Sequence, residues 1–449
     1  MSGGSSCTDQ EDNVRRQFEL MMDKSGPFES NPHLVVGVSG GADSMALVLL
    51  IEEWANAHGG QVTALTVDHG LRQNSSTETK QVSRWLASRP VEHIVLHWEG
   101  PKPDSAVQAS ARKARYQLMA DWCHENAALH LFVAHTLDDQ VETYLMRKRR
   151  GSQDTGLSGM SAVTEMAGCR LLRPLLTSRG SALRDWLRQI NQQWIEDPSN
   201  KDRKYERVRM RQLITDSDLD PMELFGEAAD YGNQRRVGEA VMAELMASSV
   251  MCHPAGFVRM AIPPFMDQER SLIQGTLSRI LVCVGGGEYP VSPEKLMSLG
   301  EQFRTGKFGG NVTLGGCLIC KSDDQVVICR ENRNLPAAIS PRSDAEILWD
   351  GRYRLKVKLQ NTEAGQICTL APLGETGWKQ INSLVSGQVR AQIPHAVRLT
   401  IPALFDDQGV SSAPLLDYKS TNSWANFAKL QFLPLNALSG SGFAVAHFN

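Results

Sequence analysis

The stretch LVVGVSGGADS at residues 34–44 decides the fold of this chain. A β-branched apolar run ends in the loop 39–44, and a second apolar run, 45–51, follows it directly. A strand, a glycine turn and a helix start form a phosphate cradle, because glycines permit a tight turn and the first N–H groups of a helix lack backbone partners. Asp43 suits such a cradle when a divalent cation such as Mg²⁺ lies between the carboxylate and the phosphates.

Strands and helices alternate on both sides of this loop. The strand-like runs are 34–38, 62–67, 91–97 and 131–134, and helical patterns lie between them at 44–57, 77–87 and 106–126. This order predicts an α/β fold with a parallel, Rossmann-like sheet, whose ligands bind at the carboxyl ends of the strands.

The pattern changes after residue 213. We predict a disordered or frayed N-terminus over 1–32, a catalytic α/β domain over 33–215, a mainly helical domain with a β-hairpin over 216–335, and a small β-rich C-terminal domain over 345–449. The pair Cys317 and Cys320 has C-x-x-C spacing, but no second pair follows it. We interpret both as strand residues rather than as a metal or redox site.

Composition narrows the class of protein. The 449 residues carry a net charge of -3, which argues against a general polyanion binder, yet residues 101–215 hold 19 basic against 13 acidic side chains. This excess predicts a local basic face. No apolar run is long enough to span a bilayer, the polar start does not match a secretory signal, and nine scattered cysteines favour the reducing cytoplasm.

Three further stretches carry chemistry at the same sheet edge. Asp68 and His69 end the second strand, where the chain would pass an adenosine. Arg112 and Arg115 share one helix face, which either is solvated or meets the phosphates of a reacting nucleotide. After His135 comes an acidic group consisting of Asp138, Asp139 and Glu142. Such close carboxylates require a shared cation, either Mg²⁺ or an amine substrate, unless they are merely a favourable helix start.

Basic residues follow the acidic group. We predict that nucleic-acid phosphates bind Arg147, Lys148, Arg149, Arg150, Arg207, Arg209 and Arg211. The alternative is a solvated basic face.

These motifs, in this order, resemble the tRNA(Ile)-lysidine synthetases of the PP-loop ATP pyrophosphatase superfamily. The resemblance covers nearly all of 33–213, and the strings that carry it are SGGADS at 39–44, VDHGLR at 67–72, ARKARY at 111–116, HTLDDQVET at 135–143, RGS at 150–152, GLSGM at 156–160, RPLL at 173–176, WIEDPSN at 194–200 and YERVRMR at 205–211.

The resemblance implies a fold like that of the adenine nucleotide alpha hydrolases, and a reaction. ATP would adenylate O2 of the wobble cytidine, position 34, in a tRNA(Ile) with a CAU anticodon, and the ε-amine of free L-lysine would then displace AMP. The expected ATP-binding residues are Ser39, Gly40, Gly41, Ala42, Asp43, Ser44, Asp68, His69 and His135. The expected catalytic residues are Asp43, Arg112, Arg115, Asp138, Asp139 and Glu142, with Asp43 and Asp138 toward Mg²⁺. The resemblance leaves open which carboxylate binds the metal, which receives the lysine and which acts as the base. It is also compatible with a homodimer.

Two positions depart from the family pattern. Thr136 stands where a second histidine is common, and Gln153 follows Arg150-Gly151-Ser152 where glycine is common.

Three alternative functions fit the sequence less well. A tRNA 2-thiolase usually pairs cysteines near the loop, whereas this domain has only Cys123 and Cys169. An amidase-ligase needs an N-terminal cysteine nucleophile, and a non-catalytic tRNA-binding module would not need an intact Asp43.

Overall fold

The computed structural model describes residues 7–70, 75–98, 107–152, 154–166, 168–196, 204, 206–217, 219–266, 268–359, 368–421 and 423–446. Contacts divide the chain into two compact units, the first formed by 1–239 with 441–449 and the second by 240–440. The elements up to the division are α1 (Cys7–Ser25), β1 (His33–Gly37), α2 (Ala42–Ala57), β2 (Gln61–Asp68), α3 (Ser75–Leu86), β3 (Val91–His97), α4 (Val107–Glu125), β4 (His130–Phe132), α5 (Leu137–Arg149), α6 (Asp154–Leu157), β5 (Val163–Met166), β6 (Cys169–Leu172), α7 (Gly180–Gln189), α8 (Glu206–Asp216) and α9 (Pro221–Ser249).

The first unit is built on one sheet of order β3-β2-β1-β4-β6-β5. β1 pairs in parallel with both β2 and β4, and only the edge strand β5 runs antiparallel to its neighbour β6. Leu34, Val35 and Val36 of β1 are fully buried because helices cover both faces of a parallel sheet. The predicted α/β fold is confirmed. The order of strands in the sheet changes direction between β1 and β4, because β2 and β3 follow on one side of β1 and β4 lies on the other, and α/β folds bind ligands at such a point.

The predicted frayed N-terminus is wrong for the described part of 1–32. The helix α1 covers Cys7–Ser25, and Val14, Phe18 and Met22 join the core that contains β1 and α2. The polar residues at the start of the chain hid this helix, because its apolar positions begin only at Val14.

The second unit is all-antiparallel in its sheets. Its elements are β7 (Val250–His253), β8 (Phe257–Ala261), α10 (Arg270–Gly285), α11 (Pro293–Arg304), β9 (Val312–Leu314), β10 (Cys317–Ser322), β11 (Gln325–Arg330), β12 (Glu346–Trp349), β13 (Tyr353–Leu359), β14 (Thr369–Pro372), α12 (Gly374–Ile381), α13 (Gly387–Gln392), α14 (His395–Arg398), β15 (Pro402–Asp406), β16 (Gly409–Ala413), β17 (Tyr418–Lys419) and β18 (Ala425–Phe432). The three sheets have the orders β7-β8-β11-β10-β9, β12-β13-β18 and β14-β15-β16-β17. Cys317 and Cys320 both lie on β10, so the prediction that they are strand residues is confirmed.

The units differ from the predicted domains. The division falls after Glu239, within α9, rather than at 215. The segment predicted as helical with a hairpin contributes a five-stranded sheet, and the residues after 440 belong with the first unit rather than with the C-terminal β-rich part. Among the described residues, no helix is long and apolar enough to cross a membrane.

Candidate functional site

A cleft of about 910 Å³ opens at the carboxyl ends of β1 and β4. Predicted residues that line it include Ser39, Gly41, Ala42, Asp43, Ser44, Asp68, His69, Arg112, Arg115, His135, Asp138, Asp139, Arg207 and Arg211. The structure therefore brings together predicted residues from five separate stretches of sequence. Glu142, Arg147, Lys148, Arg149, Arg150 and Arg209 do not line the cleft.

The glycine loop is fixed by its own hydroxyls. The Ser44 hydroxyl donates to the Gly41 carbonyl (2.9 Å) and accepts from the Ser39 N–H (3.2 Å). Gly40 has φ +83°, and a Cβ there would lie 2.7 Å from Ile195 Cδ1, so only glycine fits without displacing that side chain. Gly41 is the N-cap of α2 and has no side chain to cap the helix, which leaves the first N–H groups of the helix for an anion.

Asp43 is a cleft carboxylate whose burial disfavours its charged form. Its Oδ1 atom is buried and has no hydrogen-bond partner among the described residues. Burial, and then the neighbouring Asp139 charge, raise the pKa of Asp43 to about 6, although Arg184 opposes the shift. A bound cation would stabilise such a carboxylate.

Asp138 lies beside Asp43. Its Oδ2 atom accepts the Gly180 N–H at the start of α7 (2.8 Å). A Cβ on Gly180 would meet Asp138 Oδ2 at 3.2 Å, Asp43 Oδ1 at 3.4 Å and Arg184 Nη1 at 3.4 Å. Two carboxylates and one guanidinium therefore converge on this glycine.

Asp139 is, by contrast, well supplied with donors. Its Oδ2 atom accepts from the Thr136 N–H (3.0 Å) and hydroxyl (3.3 Å), and its Oδ1 atom accepts from Arg207 (3.0 Å). Thr136 is the N-cap of α5, and this reciprocal cap accounts for the departure at position 136. A threonine there holds Asp139 in place.

Glu142 lies behind the cleft wall. It is fully buried and pairs through Oε1 with Arg211, while Oε2 has no partner among the described residues. Burial raises the pKa of Glu142 to about 7, and the Arg211 pair limits the rise. Arg207 and Arg211, predicted to bind nucleic acid, thus lie on the acidic side chains of the cleft.

His135 is a neutral donor facing the cleft. Arg112 Nη2 donates to its Nε2 atom (3.2 Å), which assigns the ring proton to Nδ1. Burial and the nearby guanidiniums, Arg173 foremost, hold the pKa of His135 well below its usual range. Its Nδ1 atom has no partner among the described residues. The Tyr116 ring supports this corner, with Arg112 and Arg115 centred 5.1 and 5.3 Å from it.

The end of β2 forms the opposite wall. The Asp68 carboxylate accepts the Gly70 N–H (2.8 Å), and His69 contacts Trp98 edge to face. The Thr66 hydroxyl donates to the Val38 carbonyl (2.9 Å), directly before the glycine loop, and contacts His93. The wall is therefore tied to the loop.

Most of the predicted basic run is engaged within the protein. Arg147 donates to the Gly156 and Gly159 carbonyls, Lys148 pairs with Glu227, and Arg150 pairs with Glu206. Arg149 has no ion pair among the described residues. The run of four cations thus leaves Arg149 as its most available charge.

Sequence reasoning missed Arg184, Gly180, Trp194 and Ile195, which all line the cleft. Trp194 and Ile195 belong to a quoted motif, so that signal was available, and Ile195 N–H donates to the Gly40 carbonyl (2.8 Å). Arg184 lies in no motif that we recognised. Leu71, Arg72, Gln153 and residues 197–203 lie outside the described residues.

The donors fit Mg²⁺ only in part. The described residues contain no group of three or more His, Cys, Asp or Glu side chains arranged to hold a metal. Two carboxylates, one with an unpartnered oxygen, suit a hard cation whose remaining ligands are phosphate oxygens and water.

The chain has relatives among known proteins. Residues 10–217 match the family model described as a PP-loop domain. A "tRNA(Ile)-lysidine synthase" of Orientia tsutsugamushi (strain Boryong) is 30% identical, over 94% of this chain and 98% of the relative. A protein of the same name from Ruegeria pomeroyi (strain ATCC 700808 / DSM 15171 / DSS-3) is 32% identical, over 88% and 92%.

Among solved structures, the chain is similar to a U34-tRNA thiolase from Methanococcus maripaludis with its [4Fe-4S] cluster. The TM-score is 0.44 at 15% identity, over 50% of this chain and 79% of that one. A likeness at this level does not by itself establish a shared fold.

Proposed function

Because the chain belongs to the tRNA(Ile)-lysidine synthase family, we propose that its cleft activates the wobble cytidine with ATP and passes it to lysine. The chain is a carbon–nitrogen ligase of the PP-loop class that uses ATP to form lysidine in tRNA(Ile). The observation that best supports the detailed proposal is the convergence of the glycine loop, the unpartnered Asp43 oxygen and the acidic start of α5 on one cleft.

In the first step, cytidine O2 attacks the α-phosphorus of ATP and pyrophosphate leaves. The free N–H groups at the start of α2 bind the phosphates, and Arg112 and Arg115 offset the charge that develops on the α-phosphate. We assign the Nδ1 proton of His135 to a phosphate oxygen as well, because that donor is buried and has no protein partner in the described part of the chain.

Asp43 and Asp138 are the residues that we expect to hold Mg²⁺ with the phosphate oxygens. The bound ion would supply positive charge against the pyrophosphate leaving group. Arg184, which converges with both carboxylates on Gly180, balances their charge in the free protein and is positioned near the departing phosphates.

In the second step, the lysine ε-amine attacks C2 of the adenylated cytidine and AMP leaves. The ammonium must first lose a proton, and the best acceptor has a pKa near the working pH. We assign this role to Glu142, whose pKa is about 7, with Asp139 binding the cation on the cleft side. Arg211 covers Glu142 in the free protein, so this step requires Arg211 to release one carboxylate oxygen.

The tRNA substrate reaches the cleft past a basic surface. We expect Arg149 to contact phosphates, with a smaller contribution from Arg209, which donates to the Lys204 carbonyl. The eight cysteines whose side chains the structure describes are free thiols, which supports action in the cytoplasm. The homodimer stays a prediction.

The test is direct lysine transfer. The full chain is incubated with ATP, Mg²⁺, radiolabelled lysine and tRNA(Ile) with a CAU anticodon, and tRNA-bound label is counted. We expect one lysine per tRNA, with pyrophosphate and AMP released. A tRNA with U34 in place of C34 is the matched control, and equal labelling of both tRNAs, or of neither, would overturn the proposed mechanism.

A further inference from the structure

The last described residues of the chain pack into the catalytic unit. Phe443 and Ala446 are 5% and 3% exposed, respectively. Ala446 shares a hydrophobic core with Leu137, Val141 and Tyr144 of α5. The helix that carries Asp138, Asp139 and Glu142 is therefore packed in part by residues from the far end of the sequence.

Polar contacts fix this segment in register. The Ala444 N–H donates to the Ser161 hydroxyl (3.0 Å), and the Ala162 N–H donates to the Ala444 carbonyl (2.8 Å). The Phe443 N–H donates to Glu239 (2.7 Å), and the Ser441 N–H donates to Glu165 (2.9 Å). Four main-chain hydrogen bonds in four residues exceed what a loosely attached tail would make.

The α9 helix closes over the other side of the segment. Arg235 lies 4.5 Å from the centre of the Phe443 ring and pairs with Glu239, the acceptor for the Phe443 N–H. A Cβ on Gly232 would lie 3.1 Å from Phe443 and 3.2 Å from Val445. The fit leaves room for little more than a glycine there.

The contacts continue from this segment to α5. Next to Ser161 and Ala162, the Met160 carbonyl accepts the Gln140 side-chain amide of α5 (2.8 Å). The Ser161 carbonyl accepts from Arg173 (2.6 Å), a guanidinium that lowers the pKa of His135. Residues 160–162 thus link the C-terminal segment to the acidic helix and to the cationic corner of the cleft.

We propose that residues 441–446 are a positioning element for the reaction, which keeps α5 and its carboxylates in the geometry that lysine attack requires. The inference rests on the proposed function for the identity of the reaction, but its structural part does not. The segment packs directly on α5 through Ala446, whereas it reaches His135 only through Ser161 and Arg173, so we expect its larger effect on lysine attack and a smaller one on ATP binding.

The test compares two full-length variants. Ala444→Pro removes the N–H that bonds to Ser161. Gly442→Ala is the control, because its Cβ would meet nothing within 4 Å. Amide hydrogen exchange of α5, measured without substrates, should be about tenfold faster in Ala444→Pro than in the control, with α2 unchanged. The KM for lysine should rise about tenfold and the KM for ATP less than about twofold.

Equal α5 exchange and equal lysine KM in the two variants would overturn the proposal, as would parallel rises in both KM values. If Ala444→Pro fails to fold, Phe443→Leu, which keeps the apolar contact and loses the Arg235 contact, should give about a threefold lysine effect. If the unaltered chain transfers no lysine at all, the proposed mechanism fails, and the exchange comparison still decides the packing role.

Discussion

Two histidines at opposite ends of β4 differ in their hydrogen-bond partners, and the difference distinguishes a side chain that stabilises the fold from one that is available to a substrate. His130, at the amino end, accepts from Arg170 at Nδ1 (2.9 Å) and donates from Nε2 to Glu29 (2.6 Å). His135, beyond the carboxyl end, accepts from Arg112, but its other nitrogen has no partner in the described residues. Burial lowers the pKa of both rings. Only one of them is satisfied within the protein.

The same difference extends to the surroundings. At the amino end, Phe28 contacts His130, and Arg170 lies 5.0 Å from the centre of the Phe28 ring. At the carboxyl end, Asp43 and Glu142 each keep one buried oxygen that has no hydrogen-bond partner in the part of the chain that the structure describes. Unsatisfied buried groups reduce the stability of the free protein, and a substrate or cation that satisfies them gains the corresponding binding free energy.

The largest effect is expected at Asp43. Asp43→Asn should lower lysine transfer about a thousandfold, because the cation site loses its charge. The same change should raise the free energy of unfolding at pH 8 by about 1–2 kcal/mol, because the ionised form of a carboxyl with a raised pKa opposes folding. The gain should disappear as the pH falls through about 6 toward 3.8, where the native carboxyl is itself protonated.

Thermal unfolding at pH 5 and 8 and pyrophosphate release measure these effects. Asp185→Asn, an exposed acid on α7 that pairs with Arg188, is the control and should change neither activity nor its pH dependence. If Asp43→Asn lowered the free energy of unfolding at pH 8, it would contradict the view that the ionised Asp43 carboxylate destabilises the native protein.

Glu142→Gln should lower the rate of lysine attack about a hundredfold, since a general base contributes about that much. The unaltered protein should lose activity as the pH falls through about 7, the pKa of Glu142, and the variant should lack that limb. Single-turnover pH profiles with preformed adenylated tRNA make the measurement. Glu206→Gln, which removes a surface partner of Arg150, should keep the limb. An unchanged acid limb in Glu142→Gln would assign the base elsewhere.

A change at the amino end should affect stability alone. His130→Ala leaves Glu29 and Arg170 without their shared partner and should lower the free energy of unfolding by about 1–3 kcal/mol at pH 8. The difference should shrink below pH 6.5, because a histidine whose pKa is lowered by folding already destabilises the native state there. Denaturant unfolding and lysine-transfer assays test this, with the exposed His124→Ala as the control. A loss of catalytic rate in folded His130→Ala would contradict the view that the amino end of β4 contributes to stability and not to catalysis.

The smallest effect is expected outside both ends, at Arg149. Arg149→Ala should weaken tRNA binding and reduce the slope of log affinity against log salt by about one. Lys148→Ala should change the slope less, because Lys148 already pairs with Glu227. Filter binding across a salt series distinguishes the two. Equal slopes in all three proteins would locate the tRNA phosphates elsewhere.

The sequence predicted the parallel sheet and the main elements of the cleft, because both depend on local signals. Alternating apolar runs indicate buried strands, and the glycine loop can be read directly from residues 39–44. It failed for α1, whose polar start concealed a buried face. A charge count also does not show that Lys148 and Arg150 pair with Glu227 and Glu206, and nucleic-acid binding by the basic run stays a prediction.

The sequence by itself determined, through the resemblance of its motifs to a family, the reaction class, and it determined which residue types follow the ends of the strands, since the motifs and their spacing are properties of the chain. Only the tertiary structure decided how deeply each of these side chains is buried and which hydrogen-bond partners it has. Asp139 receives three hydrogen bonds, whereas Asp43, on another element, keeps an oxygen without one in the described residues. Residues 441–446 complete a core that begins more than 300 positions earlier in the sequence. Burial and pairing depend on neighbours distant in sequence, and the order of residues along the chain does not specify those neighbours.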